Sequence, residues 1–107
     1  MVADDVFLAP PDGFSLEPVH PGEVLEEELA ARGLTANALA LKLRVPANRL
    51  TEILNGKRGI SPDTALRLSR CLGPSAAFWL NLQSQYDLAR AEQRHGARIR
   101  AEVESAA

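Results

Sequence analysis

The sequence predicts an all-α fold of five helices, the last of them extended, and three observations carry that prediction. Apolar residues recur at three- and four-residue intervals from Val24 to Ala89. Helix-opening residues stand before these stretches, at Thr35 and Ser61, and Gly33, Gly56 and Gly73 stand where they stop. A chain of 107 residues, 46% of them hydrophobic, has the size of one domain around one modest core.

Residues 1–19 carry Pro10, Pro11, Gly13 and Pro18 with little helical periodicity, and read as a flexible or extended arm ahead of a domain over 20–95. The first helix is expected from about Pro21 to Gly33, with Val24, Leu25 and Leu29 inward and the acidic run of Glu23, Glu26, Glu27 and Glu28 toward its positive end. The second follows Thr35 as N-cap and runs to Leu43, burying Leu39, Ala40 and Leu43. After a short turn at Arg44-Val45, Pro46 is expected as an early residue of a third helix that ends at Asn55-Gly56. Its apolar face is Leu50, Ile53 and Leu54. Ser61-Pro62-Asp63 opens a fourth helix, with Ala65, Leu66, Leu68, Ser69 and Leu72 inward, that closes at Gly73. The fifth opens near Pro74-Ser75 and runs beyond Ala89; from Gly96 on, the Arg-rich tail 96–107 is expected to fray.

Charge is partitioned along this order. Residues 1–33 hold eight acids against Arg32, a net −7. Residues 34–60 hold Lys42, Arg44, Arg49, Lys57 and Arg58 against Glu52, a net +4. Residues 61–107 come to +1, and the chain to −2. Overall acidity argues against nucleic acid, but fields act within a Debye length of roughly 8 Å, so a local basic stretch can still bind phosphate. That stretch coincides with two short helices joined by a tight turn. Small Ala40 permits a close crossing, and the second of the pair has one apolar and one hydrogen-bonding side. This is the organisation of a helix-turn-helix that reads the major groove of duplex DNA. Asn48 can pair with an adenine edge, Arg49 with a guanine or a phosphate, and the loop Asn55-Gly56-Lys57-Arg58-Gly59 with phosphates.

Other chemistry finds no carrier. The lone Cys71 cannot form an internal disulfide and no apolar run approaches a membrane span. Met1 to Leu8 carries Asp4 and Asp5 where a leader needs cations, so a cytoplasmic location is expected. His20 and His95 lie far apart with no ligand-spaced partner, which argues against a metal site, and no glycine-rich phosphate loop, nucleophile triad or paired carboxylates are present. The expectation is no enzyme, no cofactor and no metal. Phe78, Trp79, Leu82 and Tyr86 are candidates for the core or a dimer contact, with one of the aromatic pair Phe78-Trp79 assigned to the core.

Three stretches resemble the HigA and VapI-like antitoxin family of the Xre/Cro (lambda-repressor-like) superfamily: His20-Pro21-Gly22-Glu23, the run from Leu50 through Asn55-Gly56-Lys57-Arg58-Gly59-Ile60-Ser61-Pro62-Asp63 to Ala65, and Phe78-Trp79-Leu80-Asn81-Leu82-Gln83. The resemblance covers about two-thirds of the chain, from His20 to about Ala91. It implies the five-helix fold, a homodimer on an inverted-repeat operator, and the antitoxin role in a type II toxin-antitoxin module. That role joins autorepression of the operon to neutralisation of a HigB or RelE-like ribonuclease toxin. It also implies base reading at Ala47, Asn48, Arg49 and Glu52 and phosphate contact at Thr35, Asn37, Asn55, Lys57 and Arg58, to which the basic stretch adds Lys42. Two departures stand out: Arg44 where the turn commonly has glycine, and Pro46 where a serine or threonine commonly opens the recognition helix. A stand-alone Xre-family repressor without a toxin, and an interaction module reusing the fold away from DNA, are the alternatives.

Overall fold

The computed structural model describes residues 18–107. Of the arm read over 1–19, all but Pro18 and Val19 lies outside the described residues. Five helices follow in order: α1 (Pro21–Arg32), α2 (Ala36–Leu43), α3 (Ala47–Leu54), α4 (Pro62–Leu72) and α5 (Ala76–Glu102). Among the described residues there is no strand.

Local capping chemistry sets most of these boundaries. Thr35, Ser61 and Ser75 each accept the backbone N–H three residues on, at the starts of α2, α4 and α5. At α1 the cap is His20, whose Nδ1 accepts the Gly22 amide at 2.9 Å while its own N–H reaches the Glu23 carboxylate. Pro46 stands at the N-cap of α3 and makes no side-chain cap, so it lies just outside the helix it was expected to begin.

Three of the helices close by one device. At α1, α2 and α3 the chain turns through a left-handed residue, Gly33, Arg44 and Gly56, while two amides bond back in a nested pair. Leu34 and Gly33 bond to Leu29 and Ala30, Val45 and Arg44 to Ala40 and Leu41, and Lys57 and Gly56 to Glu52 and Ile53. Only at α2 does a side-chain-bearing residue occupy the left-handed position, with φ 62°. Arg44→Gly should therefore raise stability by about 1 kcal/mol without changing the fold, as a shift in chemical-denaturation midpoint. A lower midpoint would mean that Arg44 makes a compensating contact.

The core is Leu25 and Leu29 of α1, Leu39, Ala40 and Leu43 of α2, Leu50 and Ile53 of α3, Ala65, Leu68 and Leu72 of α4, and Trp79 of α5, closed by Ile60. Leu66 is a correction: it is 65% exposed, and Thr64, 2% exposed, takes the inward position. Ser69, also expected inward, is half-buried. The buried side of α4 is the narrow stripe Thr64, Ala65, Leu68, Leu72, one residue back from the arc that apolarity alone suggests. Arginines tie helix ends across the core: Arg67 donates to the Leu43 carbonyl at the end of α2, and Arg32 to the Leu72 carbonyl at the end of α4.

α5 continues through Gly96 to Glu102, where the sequence predicts fraying. A single helical glycine costs about 1 kcal/mol, too little to break a continuous hydrogen-bond ladder, and Arg100 reaches back to Glu92 across it.

Candidate nucleic-acid interface

The second and third helices form the crossed pair that the sequence predicts. Ala40 is buried at 2% exposure in α2, and Leu50 and Ile53 face inward from α3. The opposite side of α3 presents Ala47, Asn48, Thr51 and, just past its end, Asn55 to solvent. Thr51 shares the outward face with Asn48 and was missed as a candidate; its signal is spacing, three residues after Asn48 and four before Asn55. Its hydroxyl donates to the Asn48 carbonyl at 3.2 Å.

The four base-reading candidates are not alike. Ala47 and Asn48 are exposed, and the Asn48 side-chain amide has no hydrogen bond among the described residues. Arg49 donates to Asp63 at 3.0 Å, and Glu52 accepts from Arg58 at 2.8 Å, so two of the four are engaged within the chain. Their partners lie 14 and six residues away, beyond the reach of helical periodicity. Asp63 is itself shared with Arg67 at 2.9 Å. Hydrogen bonding from Arg67 first, and from Arg49 after it, holds its carboxyl below the ordinary 3.8.

Among the phosphate candidates, Lys42 and Lys57 pair with no carboxylate among the described residues, whereas Arg58 is tied to Glu52. Thr35 already accepts the Ala38 amide, leaving its O–H as a donor, and Asn37 is exposed in the first turn of α2. The nested pair that ends α3 fixes the backbone of Lys57 to that helix. The rest of the loop is held from α5: Gln83 accepts the Ile60 amide at 2.7 Å, and its amide covers Gly59 so closely that a Cβ there would sit 2.9 Å from it. Gln83 is a second residue that spacing did not reveal, because its role depends on a partner 23 positions away.

The aromatic candidates separate. Trp79 is fully buried, with Phe78 edge-on at 5.2 Å between centroids and 40% exposed. Leu82 and Tyr86 are half-buried, and Tyr86 meets the His20 ring edge-on at 4.8 Å. His20 and His95, distant in sequence, line one cleft between the basic loop and α5, together with Lys57, Arg58, Arg90 and Arg94. Among the described residues no group of three or more His, Cys, Asp or Glu could hold a metal ion, and no helix is long and apolar enough to cross a membrane.

Comparison with known proteins places this geometry. A helix-turn-helix family model matches residues 25–79. Virulence-associated protein I of Dichelobacter nodosus is 54% identical over 76 residues, 70% of each chain. Among solved structures, an addiction-module antidote protein of the HigA family from Coxiella burnetii is 48% identical, with TM-score 0.82 over 84% of this chain and 99% of the other. Pseudomonas aeruginosa antitoxin HigA, solved with the higBA promoter, is 44% identical, also with TM-score 0.82 and the same coverage.

Proposed function

Because the chain belongs to the helix-turn-helix family, as an Xre-type member with HigA antitoxins among its similar structures, we propose that it is the antitoxin of a type II toxin-antitoxin module. In this reading it binds an inverted-repeat operator as a dimer, represses its own operon and neutralises a RelE-like ribonuclease. The observation that carries the proposal is the outward face of α3, with Asn48 and Thr51 open to solvent, ending in a turn that fixes Lys57 beside it. A helix of that kind presents side chains to base edges in a groove about 12 Å wide, while the loop meets the backbone. The Pseudomonas antitoxin, of the same fold, was solved with the higBA promoter.

Dimerisation follows from arithmetic: one recognition helix reads only a few base pairs, so useful specificity needs two half-sites about one helical turn apart. Trp79 is spent on the chain's own core, so the exposed apolar side chains of the last two helices and just beyond them, Leu66, Phe78, Leu88, Ile99 and Val103, are the candidates for contact with a second copy. A ribonuclease must be basic to hold RNA, and Glu26 and Glu27, exposed on α1 and paired with no cation among the described residues, give it a complementary surface. A stand-alone repressor is the second reading. Co-purification with a small basic protein encoded next to this chain separates the two.

Asn48 and Lys57 test the interface itself. Asn48→Ala should lose on the order of 1 to 3 kcal/mol at the operator and relax preference at one base pair per half-site, with the salt slope nearly unchanged. Lys57→Ala should weaken operator and random DNA alike and lower the salt slope by about one unit per half-site. Titrations against both duplexes at several salt concentrations decide it. A change of sequence preference in Lys57→Ala, or uniform weakening in Asn48→Ala, would refute this placement of the recognition helix.

A further inference from the structure

We infer that Asp63, on α4 and outside the helix-turn-helix, is a specificity-determining positioning residue that acts through Arg49. The inference rests on the DNA-reading role proposed above and deepens it.

Arg49 is half-buried on α3 with Nη1 on Asp63 Oδ2 at 3.0 Å. The same oxygen takes Arg67 Nε at 2.9 Å, and Arg67 Nη1 holds the last carbonyl of α2 at 2.8 Å. A single carboxylate therefore joins all three helices around the proposed groove-reading unit: α2 through Arg67, α3 through Arg49, and α4 on which it sits. The carboxylate, though solvent-exposed, is held from two sides, and Arg67 is itself tied to α2 through another nitrogen of the same guanidinium. That contact, with the partial burial of Arg49, favours one direction for its guanidinium.

Two consequences favour specific over non-specific binding. A guanidinium has five N–H donors, and the contact to Asp63 uses one, so the remaining edge stays available to a base while its direction is set before DNA arrives. Asp63, shared with Arg67, also offsets part of the charge of Arg49. An offset cation gains little from wandering to a phosphate, whereas a base edge that presents paired acceptors still matches its fork. An unpaired arginine at the same place would serve any duplex.

The test uses the full chain, a duplex selected by the wild-type protein, and a scrambled duplex of equal length, titrated at several salt concentrations. Asp63→Asn is expected to lower the ratio of selected to scrambled affinity on the order of tenfold. Affinity for scrambled DNA should rise, with a salt slope steeper by about one unit per half-site. Removing a negative charge near DNA raises all affinities whatever Asp63 does, so the deciding arm is the Arg49→Ala background. There Asp63→Asn should leave the ratio unchanged, because the residue that Asp63 positions is gone. An unchanged ratio in the single variant, or an equal fall in the Arg49→Ala background, overturns the inference. Thermal melts of each variant identify loss through unfolding, and Asp63→Glu, which keeps the charge at the start of α4 and moves the carboxylate by one methylene, should fall between wild type and Asp63→Asn. If the wild-type protein selects no duplex over scrambled DNA, the DNA-reading role itself fails and takes this inference with it. Selection by the wild type with an unaltered Asp63→Asn ratio sinks the inference alone.

Discussion

Gly22→Ala is expected to cost about 2 to 3 kcal/mol of stability, a fall in melting temperature on the order of 10 °C, and to lose operator affinity even when folded. A Cβ on Gly22 would stand 2.1 Å from the backbone carbonyl oxygen of Ile53, and 3.0 Å from the His20 ring nitrogen that caps α1. No side-chain rotation relieves a clash with backbone. The struck carbonyl is also the acceptor of the Gly56 amide, one of the two bonds that close α3 and set the course of the Lys57 loop. The damage should thus reach the proposed DNA surface from the opposite end of α1. Gly73→Ala serves as the control: its φ of 109° makes it a strained site too, but among the described residues nothing lies within 4 Å of the added carbon. It should cost about 1 to 3 kcal/mol and leave DNA binding intact. A Gly22→Ala protein that melts with the wild type would show that α1 and α3 can slide apart without penalty.

Trp79→Ala should be the largest side-chain effect, about 3 to 5 kcal/mol, because the indole is wholly enclosed by the shared core of the five helices. If the stability of the domain lies near the lower end of the usual range of about 5 to 15 kcal/mol, this leaves a sizeable unfolded fraction, and DNA binding falls in proportion. Trp79→Phe should behave differently. The indole Nε1 is buried with no hydrogen-bond partner among the described residues, and a stranded donor of this kind costs about 1 to 3 kcal/mol. Phenylalanine gives up some packing and removes that penalty, so a net change below about 1.5 kcal/mol is expected. Urea midpoints compare the two; equal losses would mean that the indole nitrogen finds a partner in solution.

Most of the helix limits were legible because caps are local. Thr35, Ser61, Gly33 and Gly56 act on amides within a few residues of themselves, and their types declare it. The crossed pair of α2 and α3 was legible for the same reason. Leu66 was misplaced because Ala65, Leu66 and Leu68 span an arc wider than the contact α4 has room to make, and only the neighbouring helices choose which edge of it is covered. The engagement of Arg49 and Glu52 was hidden altogether. Side chains that look like free readers in a one-dimensional pattern meet Asp63 and Arg58 only once α4 and the loop have folded back. The close approach of Gly22 to Ile53 belongs to the same class: a glycine in the first turn of a helix reads as a weak former until the backbone it makes room for is known.

The histidine cap at the head of α1 makes folding a proton-linked process near neutrality. The ring can accept the Gly22 amide only while Nδ1 is bare, and burial draws its pKa below the ordinary 6.5, against the opposing pull of Glu23 and Asp87. Between those two values the unfolded chain binds the proton more readily than the folded one. The stabilisation from His20 is therefore complete above about pH 6.5 and is lost as the pH falls through the folded value. Asp63, held below its usual range by its two arginines, titrates under this window and does not confuse it. Asparagine can cap a helix without titrating. His20→Asn should accordingly flatten the dependence of melting temperature on pH between about 7.5 and 5.5, leaving a head of α1 that acid no longer loosens.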